Sequence, residues 1–493
     1  MVRCALLSCG LQAMSIFSAT GAVEANVETY GLTAAGLQAA INYVASQGGG
    51  VVRIPSGVTV DLAGGAVVIT TPRVDLKGSG DSIIKNGTVI VGAPASTYPV
   101  TYNLKIEGIT FSFDVLKAGN HAIKLQNARK GIIAGCAFQN CDYSIWVPPI
   151  LNPFFQHVNR FQISNNRFDN CNFALRFERD SNATTSFQTA DMHFVNNTAN
   201  CNVSHISGVG VDGLIVSGNT LLFPGHEQQS QTKVNNIFLN KCSWIIIAGN
   251  SLYNAGMDSI TLSNFQMISI TGNSIMAPGQ RAPGSGIRLT GGTFNAYNLG
   301  TVQGNTILFP TENGITIGTD CGSIAVTGNQ VRAPGWAANY YGSMDLSTIQ
   351  HHGIMAGAAT SNVIVMGNML SGAPTKNISV LGENSQVSQS GEWTSMTVNA
   401  SPVDLSGFFG STITLSYGSA GTISSIVGGK PGQVVGFCGT NPIMTFAHSS
   451  NMRLKGAVDT TLPINSYLYL KCVNTQGNTT TTGNAWVEVS RNY

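Results

Sequence analysis

Asp258 and Glu312, with Arg288 between them, and Glu178 and Asp180, just after Arg176, are the charged residues of this chain best suited to acid–base chemistry. Hydrolysis of a glycosidic bond needs two carboxylates, held about 5–5.5 Å apart for retention of configuration or about 6.5–9.5 Å apart for inversion. Asp258 and Glu312 each lead into a short strand, two repeat units apart, and Arg288 lies on the strand between them. If the units are stacked at the ~4.8 Å spacing of paired strands, the two acids stand near ~10 Å, which favours inversion. Glu178 with Asp180 is the competing pair. Glu178 and Asp258 are about three units, or ~14 Å, apart, too far to cooperate unless loops bring them together. Glu227 and Asp345, on longer loops, are weaker candidates. Each acid also has a plainer reading, as half of a surface ion pair beside Arg or as a turn cap.

Around these acids lie groups suited to binding an extended polymer. Lys124, Trp146, Arg176, Phe238, Thr261, Arg288 and Thr316 occupy equivalent outward positions of successive strands. Trp146, Trp336, Tyr340 and Tyr341 are the aromatics able to stack on a sugar face, or equally to bury against another subunit. His351 and His352 sit at a loop–strand junction, and His352 is a candidate contact to substrate; His205 reads as a packed core residue in the column of Ile145 and Leu175. A β-elimination would instead use Lys124, Arg176 and Arg288 to stabilise an enolate, with Tyr340 or His352 as base.

What must hold these groups in line is a repeat. The pattern apolar-x-apolar-x-Gly-Asn recurs as IVSGN (215–219), IIAGN (246–250), ITGN (270–273), TVQGN (301–305), IAVTGN (324–329) and VIVMGN (363–368), with FQISNN (161–166), FVNN (194–197) and IIAGC (132–136) as degenerate copies. Counted from Asn197, the steps are 22, 31, 23, 32, 24 and 39 residues, a period at which one unit cannot bury its own apolar face. A second set of short alternating strands lies between these turns: HAIKLQ, YSIWV, FALRFE, NIFLN, DSITLS, SGIRLT, NGITIG and HGIMAG. Two or three strands per unit, joined by Gly/Asn turns, predict an all-β right-handed parallel β-helix. The Asn after each Gly is expected in a left-handed turn, bonded to Asn on the next coil. Cys141, Cys171 and Cys201, 30 residues apart in matching contexts, predict a column of buried free thiols. Residues 33–47, with Thr33 as N-cap and Leu37, Ala40, Ile41 and Val44 as one stripe, predict a helix that plugs the first coil.

Only 10% of residues are charged, the net charge is +2, and no Lys/Arg run occurs, so the polar surface is made of amides and hydroxyls. That argues against a nucleic-acid partner, and no apolar run is long enough for a membrane span. No Cys-x-x-Cys or His-x-x-x-His spacing calls for a metal, and no cofactor is expected. Residues 1–30 are expected to be a flexible or attachment segment, with a cleaved secretion signal as the alternative. Residues 31–388 are the β-helix, and 389–493, with STITLSYGS, GQVVGFCG, SYLYLKC and AWVEVS, read as an antiparallel β-sandwich serving trimerisation or glycan binding.

The opening TAAGLQAAINYVASQGGGVVRIPSG resembles the start of pectate-lyase-like β-helices, and GGKPGQVVGFCGTNPIMTFAHSS…GNAWVEVSRNY resembles the C-terminal module of bacteriophage tailspikes. The order of helix cap, β-helix and terminal module over about 30–493 is similar to that of a capsular polysaccharide depolymerase. This resemblance implies a homotrimeric spike that binds and hydrolyses a bacterial capsular, exo- or O-antigen polysaccharide. It also implies attachment through a baseplate or adaptor protein to a virion tail, after assembly in the host cytoplasm. Alternatives are a polysaccharide lyase acting on a uronic-acid polymer, a non-catalytic receptor-binding spike, or a secreted bacterial protein. The calcium-binding Asp clusters of pectate lyases are not recognisable, which counts against a calcium-dependent lyase.

Overall fold

The computed structural model describes residues 23–92, 100–149, 158–179, 189–222, 234–292, 298–335, 338–339, 342–343, 346, 349, 351–373, 376–381, 385–397, 403–404, 410–416, 421–427, 434–438, 444–463, 466–473 and 485–492. Asp180, Glu227, Trp336, Tyr340, Tyr341, Asp345 and the first 22 residues lie outside them.

The chain winds into a parallel β-helix of about twelve coils. Each full coil contributes strands to three stacked sheets. One sheet stacks His121–Leu125, Tyr143–Val147, the end of Arg167–Phe177, the middle of Thr198–Ser217, the start of Ile237–Ala248, Ile260–Phe265, Ile287–Thr290, Ile315–Ile317 and His352–Ala356, all parallel. A second stacks the apolar strands that run into the Gly-Asn turns, and a third stacks the short strands after those turns. Inward Ile, Leu, Val and Phe from all three form one continuous core from Ala25 to Val380. Phe111, Phe138, Phe168 and Phe194 stack within it at centroid spacings of 5.3, 4.8 and 5.7 Å.

The repeat works through its asparagines. From Asn166 through Asn197, Asn219, Asn250, Asn273, Asn305 and Asn329 to Asn368, each Nδ2 donates to the Oδ1 of the next at 2.9–3.1 Å. The same Oδ1 accepts the backbone N–H of the preceding Asn at 2.8–3.0 Å. The other Nδ2 proton goes to a strand carbonyl, so these buried amides are satisfied. Cys136, the odd residue of IIAGC, starts the file by donating its backbone N–H to Asn166. The sequence expectation is corrected in one respect: the left-handed residue is not the stacked Asn but the one before it. Gly218, Gly249, Gly272, Gly304, Gly328 and Gly367 have φ of +60 to +66°, and Asn165 and Asn196 take the position in the degenerate copies at +56° and +54°. A Cβ at Gly249 would touch nothing within 4 Å, so φ rather than space selects glycine there.

The helix forms over Ala34–Ser46, with the Thr33 side chain accepting from Gly36 N–H at 3.2 Å and Leu37, Ala40, Ile41 and Val44 buried. It packs on the first strands and closes that end of the core. Among the described residues the first strand is Val23–Asn26, which pairs parallel with Gly50–Arg53. Cys141, Cys171 and Cys201 are buried free thiols, with Cys171 and Cys201 in register. His205 is fully buried, bonded to Leu222 O at 3.1 Å and facing Asn236 at 3.3 Å, while Ile206 rather than His205 stands in register with Leu175.

At the C-terminal end the sheets are small and mixed. Gln386–Thr397, Gly410–Ser416 and Val434–Cys438 continue parallel pairing, and antiparallel pairing enters with Met444–Phe446 against Thr460–Leu462 and with Tyr467–Val473 against Val434–Cys438 and Ala485–Asn492. Alternating apolar and polar residues specify which face is buried but not the direction of the neighbouring strand, so the pattern alone suggested a uniformly antiparallel arrangement. A second core cluster around Phe437, Phe446, Leu468 and Trp486 fills this region.

Candidate functional site

The outward file of the first sheet is one register-matched row: Lys124, Trp146, Arg176, Ser207, Phe238, Thr261, Arg288, Thr316, Met355. The strand alternation therefore places the expected side chains in line, with Ser207 as an additional rung. Two charged groups sit on this row, four rungs apart.

The upper group is built on Arg288. Its Nε donates to Asp258 Oδ2 at 2.9 Å, and its Nη2 bonds Glu312 Oε2. Asp258 also accepts from Ser285 N–H at 2.7 Å and from Thr261 Oγ1 at 2.9 Å. Ser285 and Thr316 hydroxyls meet at 2.9 Å, and Asn313 bonds both Thr316 and Glu312. The side chain of Asp258 is 0% exposed, that of Glu312 17% and that of Arg288 23%. Burial alone would lower the Arg288 pKa, but the two carboxylates outweigh it and hold the guanidinium above its usual value. The acids do lead into strands two coils apart. What lies between them is Arg288 itself, so the gap that inversion needs for a water is filled by a cation. Asp258 is enclosed by its donors; of the two acids, Glu312 is the one that reaches solvent.

The lower group is built on Glu178, at the end of strand Arg167–Phe177. Its carboxylate accepts from Trp146 Nε1 at 3.0 Å, Tyr143 Oη at 3.4 Å and Arg176 Nε at 3.4 Å. Arg176 also donates to Ser207 Oγ at 2.5 Å. The Tyr143 ring stacks on His121 with centroids 4.7 Å apart, His121 lies 4.3 Å from Trp146, and the Lys124 ammonium sits 4.9 Å above the Trp146 ring. Asp142 stands 3.8 Å from His121 Nε2, anchored by Gly119 N–H and Asn172 Nδ2. Burial lowers the His121 pKa, against the pull of Asp142 and Glu178. Burial raises the Tyr143 pKa, and the same two carboxylates add to it. A quarter of the Glu178 side chain is exposed (25%), more than either acid of the upper group.

Among the sequence candidates, the structure thus joins Asp258, Arg288 and Glu312 in one group and Lys124, Trp146, Arg176 and Glu178 in the other. His351 and His352 are buried, and the backbone N–H of His352 is held by Asn313 Oδ1 at 2.8 Å. Sequence reasoning missed His121, Tyr143 and Asp142. His121 and Tyr143 open their strands and Asp142 directly precedes one, at a coil corner where period-2 alternation breaks: both Ser144 and Ile145 are buried. The register of Ile123, Ile145 and Leu175 was the available signal, since it stacks His121, Tyr143 and Phe173 in one column. Among the described residues, no group of three or more His, Cys, Asp or Glu side chains is arranged to hold a metal ion.

No family model matches the chain, and no curated protein matches it. Solved structures do. The catalytic unit of a thermostable α-1,3-glucanase from Streptomyces thermodiastaticus superposes with a TM-score of 0.54 at 14% identity, covering 76% of this chain and 70% of that one. The A-module of a mannuronan C-5 epimerase from Azotobacter vinelandii gives 0.48 at 15%, covering 74% and 99%. Tailspike protein 3 of bacteriophage CBA120 gives 0.47 at 11%, covering 80% and 63%. At these identities the likeness is one of fold.

Proposed function

We propose that the chain is a spike-type depolymerase that binds a bacterial surface polysaccharide along the outward row and hydrolyses it at Glu178. The observation that carries this reading is the Glu178 carboxylate, fixed by Trp146 and Tyr143 against a surface of stacked rings and open to solvent. A sugar lying on His121, Tyr143 and Trp146 presents its linkage to Glu178 as nucleophile or base. Asp142 is the second carboxylate of the group, and Lys124 and Arg176 hold acidic substituents. The row from Lys124 to Thr316 has eight rungs, seven spacings that together make about 34 Å, room for an extended chain. Glu312, at the upper end, binds the polymer rather than cleaving it. The fold supports the chemistry in one further way: an α-1,3-glucanase is built on it.

A second reading, β-elimination on a uronic-acid polymer, is favoured by one feature: Tyr143, stacked on His121, stands on the coil between those that carry the cations Lys124 and Arg176. There the cations would neutralise the uronate carboxylate while the ring groups take the proton. Incubation with a panel of capsular, exo- and O-antigen polysaccharides, with mass spectrometry of the products, tests both. New reducing ends with water added support hydrolysis; an ultraviolet-absorbing unsaturated product means elimination; a bound but uncut oligosaccharide means a receptor-binding spike. Homotrimeric assembly and attachment to a virion through a baseplate or adaptor protein belong to the same reading, and a sedimentation experiment that finds only monomer removes them.

A further inference from the structure

The second sheet carries an anomaly on its solvent side. Its outward row is Lys105, Ile132, Gln162, His193, Ile215, Ile246, Ser269, Thr301. Two residues before each of the first six, the backbone turns a corner in the left-handed region: Asn103 (φ +43°), Lys130 (+56°), Arg160 (+58°), Asp191 (+50°), Gly213 (+71°) and Trp244 (+54°). Five of these are polar or glycine. Trp244 is a bulky aromatic in a conformation that disfavours it, and 59% of it faces solvent, so packing does not repay the strain. Beside it, Ile215, Ile246 and Met267 form an open apolar floor, edged by Asp191 and His193 below and Ser269 above.

We propose that Trp244 is the platform of a second glycan-binding site, taking one pyranose unit of a polysaccharide against its indole face. The inference rests on the glycan reading above but uses a different sheet and none of its residues. Extent and edges identify the occupant. The floor spans three successive coils and gives way to Gln162 and His193 on one side and Ser269 and Thr301 on the other. A stable protein interface needs roughly 800 Å² and about 20–30 residues per partner, far beyond four apolar side chains. A single sugar ring needs an apolar face the size of an indole and a few hydroxyl partners, which Asp191, His193 and Ser269 supply. A second site lets the chain hold a long polymer while the first site works on it, raising avidity without touching the reaction.

The test is fluorine NMR of the full chain labelled with 5-fluorotryptophan, whose five tryptophans give separately followed signals. The Trp244 signal is assigned by its loss in Trp244→Asn, a residue type that already occupies this corner at Asn103. The probes are the methyl pyranosides of glucose, galactose, mannose, N-acetylglucosamine and glucuronic acid. A saturable shift of the Trp244 signal at millimolar concentration with at least one of them is expected. Trp244→Asn should keep or raise Tm, because it relieves the strained φ, while retention on an immobilised polysaccharide substrate drops several-fold and cleavage of short oligosaccharides is unchanged. A Trp244 signal unmoved by every probe overturns the proposal, as does a variant that melts earlier with retention unchanged, or one whose oligomer dissociates. The Trp146 signal reports the first site separately: its silence while Trp244 responds sinks the Glu178 reading and spares this one.

Discussion

The two charged groups of the outward row share a fold, a face and a rung spacing, yet are organised in opposite ways. Around Arg288 the cation is central and two acids compete for it, one of them, Asp258, with its side chain 0% exposed. Around Glu178 the acid is central, its donors are mostly aromatic, and a quarter of it meets water. A carboxylate enclosed by a guanidinium, a hydroxyl and a backbone N–H has its acceptor capacity spent on the protein. One bonded by an indole and a phenol retains a face for a ligand and gains a stacking surface beside it. Placement on the row does not distinguish structural from functional acids; the identity of their donors does.

The sharpest way to break that comparison is Glu178→Gln. It should lower turnover by about 10²–10⁴-fold, the usual worth of a positioned acid or base, with an unchanged circular dichroism spectrum. Full activity in reducing-end assays would mean that the lower group only binds. Asp258→Ala should act on stability instead, costing about 3–5 kcal/mol in thermal or denaturant melts, because Arg288 loses one of its two acids and Ser285 N–H its acceptor. A variant that stays as stable as the parent but loses turnover would return Asp258 to the reaction.

Acid should find a different weak point. Burial depresses the His205 pKa to about 4, below the 6.5 of a free imidazole, so between those values the unfolded chain binds a proton that the folded one refuses. The stability this residue lends is therefore complete above pH ~6.5 and falls as pH drops towards 4, by on the order of 3 kcal/mol in total. His205→Gln should flatten the slope of stability against pH in that window; an unaltered slope would place the titration elsewhere. Next in size, Asn250→Ala removes one link of the amide file and strands the donors of Asn219, which should cost about 1–3 kcal/mol by chemical denaturation. Smallest is Glu312→Gln, expected to change turnover by less than about tenfold while weakening polymer affinity. A loss as deep as that of Glu178→Gln would erase the distinction between the two groups.

Much of this was legible beforehand in the order of residues. The Gly-Asn steps predict stacked coils, the IRLT and ITIG strands put Arg288 and Thr316 in one row, and Thr33 with its apolar stripe predicts the capping helix. These are local rules: one turn, one alternation, one cap, repeated until a small signal becomes a strong one. The lower group escaped notice because His121 and Tyr143 sit where a corner interrupts the alternation, and Asp142 points towards them only once adjacent coils are in register.

The sequence alone therefore determined the repeat, its period, the amide file and which strand residues face outward, since each follows from neighbours along the chain. Only the tertiary structure decided that Asp258 is enclosed, that Arg288 fills the space between two acids, and that Glu178 is bonded by rings from another coil. Those facts depend on contacts between residues some 24 to 35 positions apart, brought within hydrogen-bonding distance by stacking. Exposure and donor identity are properties of that stacking, and no single coil contains them.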